Sequence, residues 1–110
     1  MIDSKNIHLL LVDDHPLVRD GLRARLENIP RFKIAGDAGN AEDALHVLAN
    51  ASVSLILMDI NLGKTNGMHL TGHLSKEYPH IAVIMLSMHE KDEYVSQSIL
   101  AGARGYVSKD

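Results

Sequence analysis

Short apolar runs that end abruptly at a polar residue constrain this chain more than any other feature. Leu9-Leu10-Leu11-Val12 ends at Asp13-Asp14, Leu55-Ile56-Leu57-Met58 at Asp59, Ile81 to Leu86 at Ser87, and Gly105-Tyr106-Val107 just before Lys109. A run without alternation suits a strand buried on both faces, as in a parallel sheet. Phe32-Lys33-Ile34-Ala35 alternates and reads as a further short strand. Helical patterns fill the gaps. Pro16 sits well in a first turn, with Val18, Leu22, Leu26 and Ile29 recurring at helical spacing before Pro30. Asn40 is placed to cap a second helix, Glu42 and Asp43 favour its first turn, and Ala41, Ala44, Leu45 and Leu48 form its apolar face. A loop with Gly63 and Gly67 leads to a third helix carrying Leu70 and Leu74 and closed by Pro79. Glu90, Asp92 and Glu93 open a fourth, with Val95, Ile99 and Gly102 along one side. Strands and helices alternating in this way imply an α/β fold with a parallel sheet and right-handed crossovers.

The chain has 110 residues, the size of one domain. Its composition is 45% hydrophobic and 23% charged, which suits a folded domain and not a disordered one. With three Tyr, one Phe and no Trp, the core must be built from aliphatic residues and Met. No apolar run is long enough to span a bilayer, and the opening MIDSKNIH has no secretory core. The absence of cysteine excludes disulfides and thiolate metal sites. A soluble cytoplasmic protein with no membrane association is the expectation. The formal charge of −3, with no Lys/Arg cluster, makes this chain alone a poor binder of nucleic acid. A doubly wound sheet would receive a fifth helix after the strand at Gly105, but the sequence stops at Asp110. The expectation is a truncated piece of a longer chain, or an open face that another chain covers.

In an open parallel sheet the carboxyl ends of the strands share one edge, where ligands bind at the switch in strand order. That edge would gather Asp13, Asp14, Asp59, Ser87 and Lys109. Each alone has an ordinary explanation. Asp13-Asp14 before a helix is as readily a cap, Asp59 a solvated strand end, and Lys109 a surface charge. Their joint placement makes coincidence a poor account. Three carboxylates brought together repel, and one stays protonated unless cations join them. A divalent cation and Lys109 balance the three charges, and all-oxygen ligands favour Mg²⁺ or Mn²⁺ over zinc. A carboxylate there is able to attack phosphorus and form an aspartyl phosphate, with the Ser87 hydroxyl donating to the new group.

The segments LLLVDDHPLVRDGL, LILMDIN, VIMLSMHE and AGARGYVSKD resemble the receiver domains of response regulators, and DDHPLVRDGL and SMHEKDEYV are most similar to the NarL/FixJ subfamily. The resemblance covers essentially the whole chain, with the motifs in the family's order. It implies a flavodoxin-like five-stranded sheet in order 2-1-3-4-5, with Asp59 as the phosphoacceptor and Asp13 and Asp14 as the acidic pair. Mg²⁺ would be held by Asp14, Asp59 and the backbone carbonyl of Asn61, with Asp13 acting through water. Ser87 and Tyr106 would be the switch pair and Lys109 the phosphoryl-binding lysine. The implied function is a phosphorylation-dependent switch in a bacterial two-component system, not a conventional enzyme. A sensor histidine kinase or phosphotransfer protein would be its partner, and a homodimer is a further expectation. DNA would be contacted only through a C-terminal helix-turn-helix domain of a longer parent. The loop after Asp59 departs from the family, having Leu62-Gly63-Lys64-Thr65-Asn66-Gly67 where a MPGMDG-like pattern is usual. Losing the proline should loosen the loop, and Lys64 adds a positive charge.

Competing motifs fail. Gly63-Lys64-Thr65 ends like a GxxxxGKS/T phosphate loop, but the first glycine would fall on Met58 within a strand. His69 and His73 have metal-ligand spacing on a helix without an evident third ligand, and read as surface residues. The remaining histidines read as structural or exposed, with His15 and His89 bordering the cleft. A phosphohydrolase similar to the haloacid dehalogenases would need an acid two residues after its nucleophile. Asn61 and His15 stand at that spacing from Asp59 and Asp13. A degenerate receiver is disfavoured by the intact acidic group.

Overall fold

The computed structural model describes residues 6–62, 65–87 and 102–108. Within them the order is β1 (Ile7–Val12), α1 (Pro16–Glu27), β2 (Phe32–Ala38), α2 (Ala41–Asn50), β3 (Leu55–Asp59), β4 (Asn61–Leu62), β5 (Thr65–Asn66), α3 (Gly67–Glu77), β6 (Ala82–Ser87) and β7 (Gly105–Ser108). Five strands make one sheet in the order β2-β1-β3-β6-β7, and every neighbouring pair in it is parallel. The short β4 and β5 pair antiparallel outside that sheet. The helix expected at Glu90 to Ile99 lies outside the described residues, as does Lys109. No helix among the described residues is long and apolar enough to cross a membrane.

Burial explains why the first run does not alternate. β1 lies between β2 and β3, and Leu9, Leu10, Leu11 and Val12 are all at most 1% exposed. Side chains on both faces of this strand are covered, so neither face tolerates a polar residue. β3 and β6 have one well-covered face. Ile56, Met58, Val83 and Met85 are buried, whereas Leu55, Leu57, Ala82 and Ile84, pointing the other way, are only partly covered. The covered face carries the main core, in which Leu10, Ile56, Met58 and Met85 meet Ala44 and Leu48 of α2 and Leu70 and Leu74 of α3. Truncating Leu10 to alanine is expected to destabilise the domain by about 2–5 kcal/mol through lost burial plus a residual cavity. The same change at Leu17, which is 87% exposed, should shift stability by no more than about 0.5 kcal/mol. Urea unfolding of the two variants checks the contrast.

The helices begin where local chemistry dictates. Asn40 Oδ1 accepts from the Asp43 amide at 2.8 Å and caps α2. Asn66 Oδ1 accepts from Met68 N at 2.7 Å and caps α3. α1 ends at Glu27, before the Pro30 expected to close it, because Asn28 turns back and Ile29 N donates to Leu26 O. Ile29 therefore falls off the helix and is 42% exposed. Arg23 and Glu27 on α1 join Asp37 at the end of β2, with Arg23 Nη2 2.5 Å from Asp37 Oδ2. That hydrogen bond holds the Arg23 guanidinium pKa above its already high ordinary value.

This topology sets where a site forms. After β1 the chain adds β2 on one side, and β3 then pairs on the other side of β1. The segments leaving β1 and β3 diverge and leave a crevice between their carboxyl ends.

Candidate functional site

Asp13 follows β1 directly, and its backbone is held at both ends. Its amide donates to Ala38 O at 3.0 Å, extending the β1–β2 ladder by one residue. Its carbonyl accepts from Arg19 Nη1 at 2.6 Å. Its side chain folds back to accept from the His15 amide at 2.9 Å, a turn that aspartate favours. Pro16 then starts α1, its fixed φ matching the first helical position.

Asp59 is the last residue of β3 and pairs in register with Leu86 of β6. The next amide, Ile60 N, donates to Leu86 O at 3.2 Å, and Ile60 O accepts from Gly67 N at 2.6 Å. Gly67 lies so close that an added Cβ would sit 2.0 Å from the Asp59 carbonyl oxygen. The β4–β5 hairpin therefore returns the chain onto the backbone of Asp59 itself.

The two strand ends bring four ligand-type residues together. One potential ligand atom from each of Asp13, Asp14, His15 and Asp59 lies within 4.8 Å of all the others. Asp13 and Asp59 are 1% and 2% exposed, among the few buried polar residues described. Buried carboxylates at this spacing repel one another strongly unless positive charge is shared among them. Asp14 Oδ1 is a buried oxygen that accepts no hydrogen bond. A buried acceptor in that condition is costly unless another group engages it. Hard oxygen donors gathered at this spacing fit a divalent cation such as Mg²⁺.

The structure brings Asp13, Asp14 and Asp59 together as the sequence placed them. The backbone of Ser87 ends β6, one residue beyond Leu86, and pairs with Ser108 of β7. Tyr106 pairs with Met85, and Asn61 with Asn66 in the hairpin. The side chains of Ser87, Tyr106 and Asn61 lie outside what is described, as does all of Lys109. His15, expected at the border of the cleft, has its ring within the acidic group. Nδ1 lies 3.1 Å from Asp13 Oδ1, 2.9 Å from Asp14 Oδ1 and 4.0 Å from Asp59 Oδ2. A histidine at the first position after an acidic pair was the available signal. His69 and His73 are exposed on α3, and His73 faces Glu77 at 3.3 Å. Neither belongs to a group of three metal ligands among the described residues. A groove of about 680 Å³ beside His8, Ser54, Tyr78 and His80 lies at the other end of the strands, away from the acidic group.

A family model, that of the response regulator receiver domain, matches residues 9–110. The transcriptional regulatory protein MctR of Rhizobium johnstonii is 42% identical over 110 residues, covering 100% of this chain and 51% of that protein. The response regulator UvrY of Escherichia coli is 37% identical over 103 residues, covering 94% of this chain and 47% of that protein. The chain spans about half the length of the curated relatives it matches. Among solved structures, a LuxR-family two-component response regulator from Aurantimonas sp. SI85-9A1 superposes with a TM-score of 0.89 at 28% identity, covering 96% of this chain and 75% of that one. The receiver domain of the putative response regulator NarL from Mycobacterium tuberculosis gives 0.87 at 23% identity, covering 97% and 86%, which bears on the fold alone.

Proposed function

This chain belongs to the response regulator receiver family, and on that premise we propose that it is a phosphorylation-dependent switch whose phosphoacceptor is Asp59. The observation that carries the reading is the meeting of Asp13, Asp14 and Asp59, drawn from two strand ends into one cluster within 4.8 Å. A carboxylate oxygen of Asp59 attacks phosphorus as the bond from phosphorus to the donor breaks, leaving an aspartyl phosphate. The donor is a phosphohistidine of a sensor kinase or phosphotransfer protein. Because β3 and the Gly67 contact fix the Asp59 backbone, the nucleophile is presented from a rigid element.

Asp14, Asp59 and the Asn61 carbonyl are the proposed holders of Mg²⁺, for which Mn²⁺ substitutes, and Asp13 assists through water. Bound there, the cation offsets charge on the transferring oxygens. Lys109 is assigned to the phosphoryl oxygens, and Ser87 and Tyr106 to the switch. The new charge draws the Ser87 hydroxyl and shifts a two-state equilibrium that Tyr106 reports. The proposed setting is cytoplasmic. MctR is named as a transcriptional regulatory protein. The proposed whole protein likewise controls transcription, through a C-terminal helix-turn-helix domain that alone contacts DNA, and pairs as a homodimer.

Mg²⁺ and beryllofluoride test the site without a kinase. At a concentration about a hundred times its Kd, Mg²⁺ should add about 2.7 kcal/mol to stability. Fluorine NMR should show bound beryllofluoride only when Mg²⁺ is present, and neither effect should survive in Asp14→Asn. Equal beryllofluoride binding with and without Mg²⁺ would contradict the reading.

A further inference from the structure

We propose that His15 Nδ1 is a donor to the cation held by the acidic group, so that this site favours a borderline divalent ion over Mg²⁺ more than an all-oxygen site would. This rests on the reading of Asp13, Asp14 and Asp59 as a divalent-cation site. The ring nitrogen is 2.9 Å from Asp14 Oδ1, 3.1 Å from Asp13 Oδ1 and 4.0 Å from Asp59 Oδ2. Donors about 2.1 Å from an octahedral ion are about 3.0 Å apart when adjacent and about 4.2 Å apart when opposite. The separations from Asp14 and Asp59 would allow Nδ1 to join those two carboxylates as a donor to one ion.

A hydrogen-bonding role accounts for less. Nδ1 carries at most one hydrogen, and two carboxylate oxygens lie within 3.1 Å of it. Asp13 Oδ1 already accepts from the His15 amide at 2.9 Å and also faces the ring nitrogen. Asp14 Oδ1 is left buried without a hydrogen bond despite its closeness to Nδ1. A cation held by Asp14 and Asp59 engages Nδ1 and the buried Asp14 Oδ1 together, with Asp13 reached through water. The backbone that carries the ring is fixed, since His15 is the extended residue before α1 (φ −101°, ψ 107°) and Pro16 follows it. Its side chain is 63% exposed, which leaves room for the small adjustment that coordination needs. Imidazole suits Fe, Ni, Cu and Zn, whereas carboxylate and water suit Mg, Ca and Mn. One imidazole among carboxylates therefore tilts selectivity towards ions such as Co²⁺ and Ni²⁺.

Two measurements on the whole chain test this. Pulsed EPR of bound Mn²⁺ should show a directly coordinated ¹⁴N, replaced by ¹⁵N when the histidines are ¹⁵N-labelled, which needs no variant. Calorimetry at pH 8 should find Ni²⁺ binding weakened roughly 10- to 100-fold in His15→Ala, with Mg²⁺ binding changed less than about threefold. Only binding that Asp14→Asn abolishes is counted, which removes the contribution of the other histidines. Absence of nitrogen coupling, or tighter binding of both ions by His15→Ala, would overturn the donor role and leave the acidic site standing. If the unaltered chain binds no divalent ion that depends on Asp14, the underlying reading fails as well.

Discussion

Replacing Gly67 with alanine is expected to destabilise the domain by about 3–5 kcal/mol, at the severe end for a single added methyl. The new Cβ would sit 2.0 Å from Asp59 O, 2.9 Å from Asp59 C and 2.9 Å from Ile60 Cα. These are backbone atoms, and no rotamer change relieves the overlap. The chain would have to break the 2.6 Å hydrogen bond from Gly67 N to Ile60 O or displace the end of β3. Domains of this size have only about 5–15 kcal/mol of stability, so the variant should unfold at a much lower urea concentration. Any folded fraction should also accept phosphate poorly, because the displaced atoms belong to Asp59. An unchanged unfolding midpoint would show that the hairpin does not press on β3. Gly36 in β2 is a milder case, since its added Cβ would meet the Val47 side chain at 3.0 Å and that side chain is able to yield.

Asp59→Asn should lose phosphorylation altogether yet gain stability without metal. The substitution removes one negative charge from a buried group shared with Asp13 and Asp14. Relief of like-charge repulsion among the three carboxylates would add roughly 1–3 kcal/mol. The stabilisation by Mg²⁺ should shrink at the same time, because a proposed ligand loses its charge. Urea unfolding with and without Mg²⁺ reads both effects. A variant less stable than the parent in the absence of metal would mean that the Asp59 carboxylate is held by favourable contacts that outweigh the repulsion.

The acidic cluster was legible because polar residues break apolar runs at strand ends, and a parallel sheet aligns those ends along one edge. Asp13, Asp14 and Asp59 needed only the order of the strands to be brought together. Other features depend on contacts distant in sequence. β2 continues through Gly36 and Asp37 to Ala38, beyond the alternating segment that ends at Ala35. The register against β1 shifts between Leu9 and Leu10, so the strand absorbs an irregular residue and continues. The β4–β5 hairpin has two residues a side and no apolar pattern to announce it. Gly67 read as a loop glycine, but it begins α3, and its requirement comes from the Asp59 backbone eight positions earlier. His15, expected at the border of the cleft, is a similar case. Its placement depends on a side-chain position among three carboxylates, which spacing in the sequence does not specify.

Phosphorylation of Asp59 is read by exposing the intact chain and Asp59→Asn to acetyl phosphate, with and without Mg²⁺, and measuring intact mass. The prediction is one added phosphoryl group on the unaltered chain, only when Mg²⁺ is present, mapped to the peptide containing Asp59 and absent from the variant. Equal modification of both chains, or labelling that ignores Mg²⁺, would contradict it.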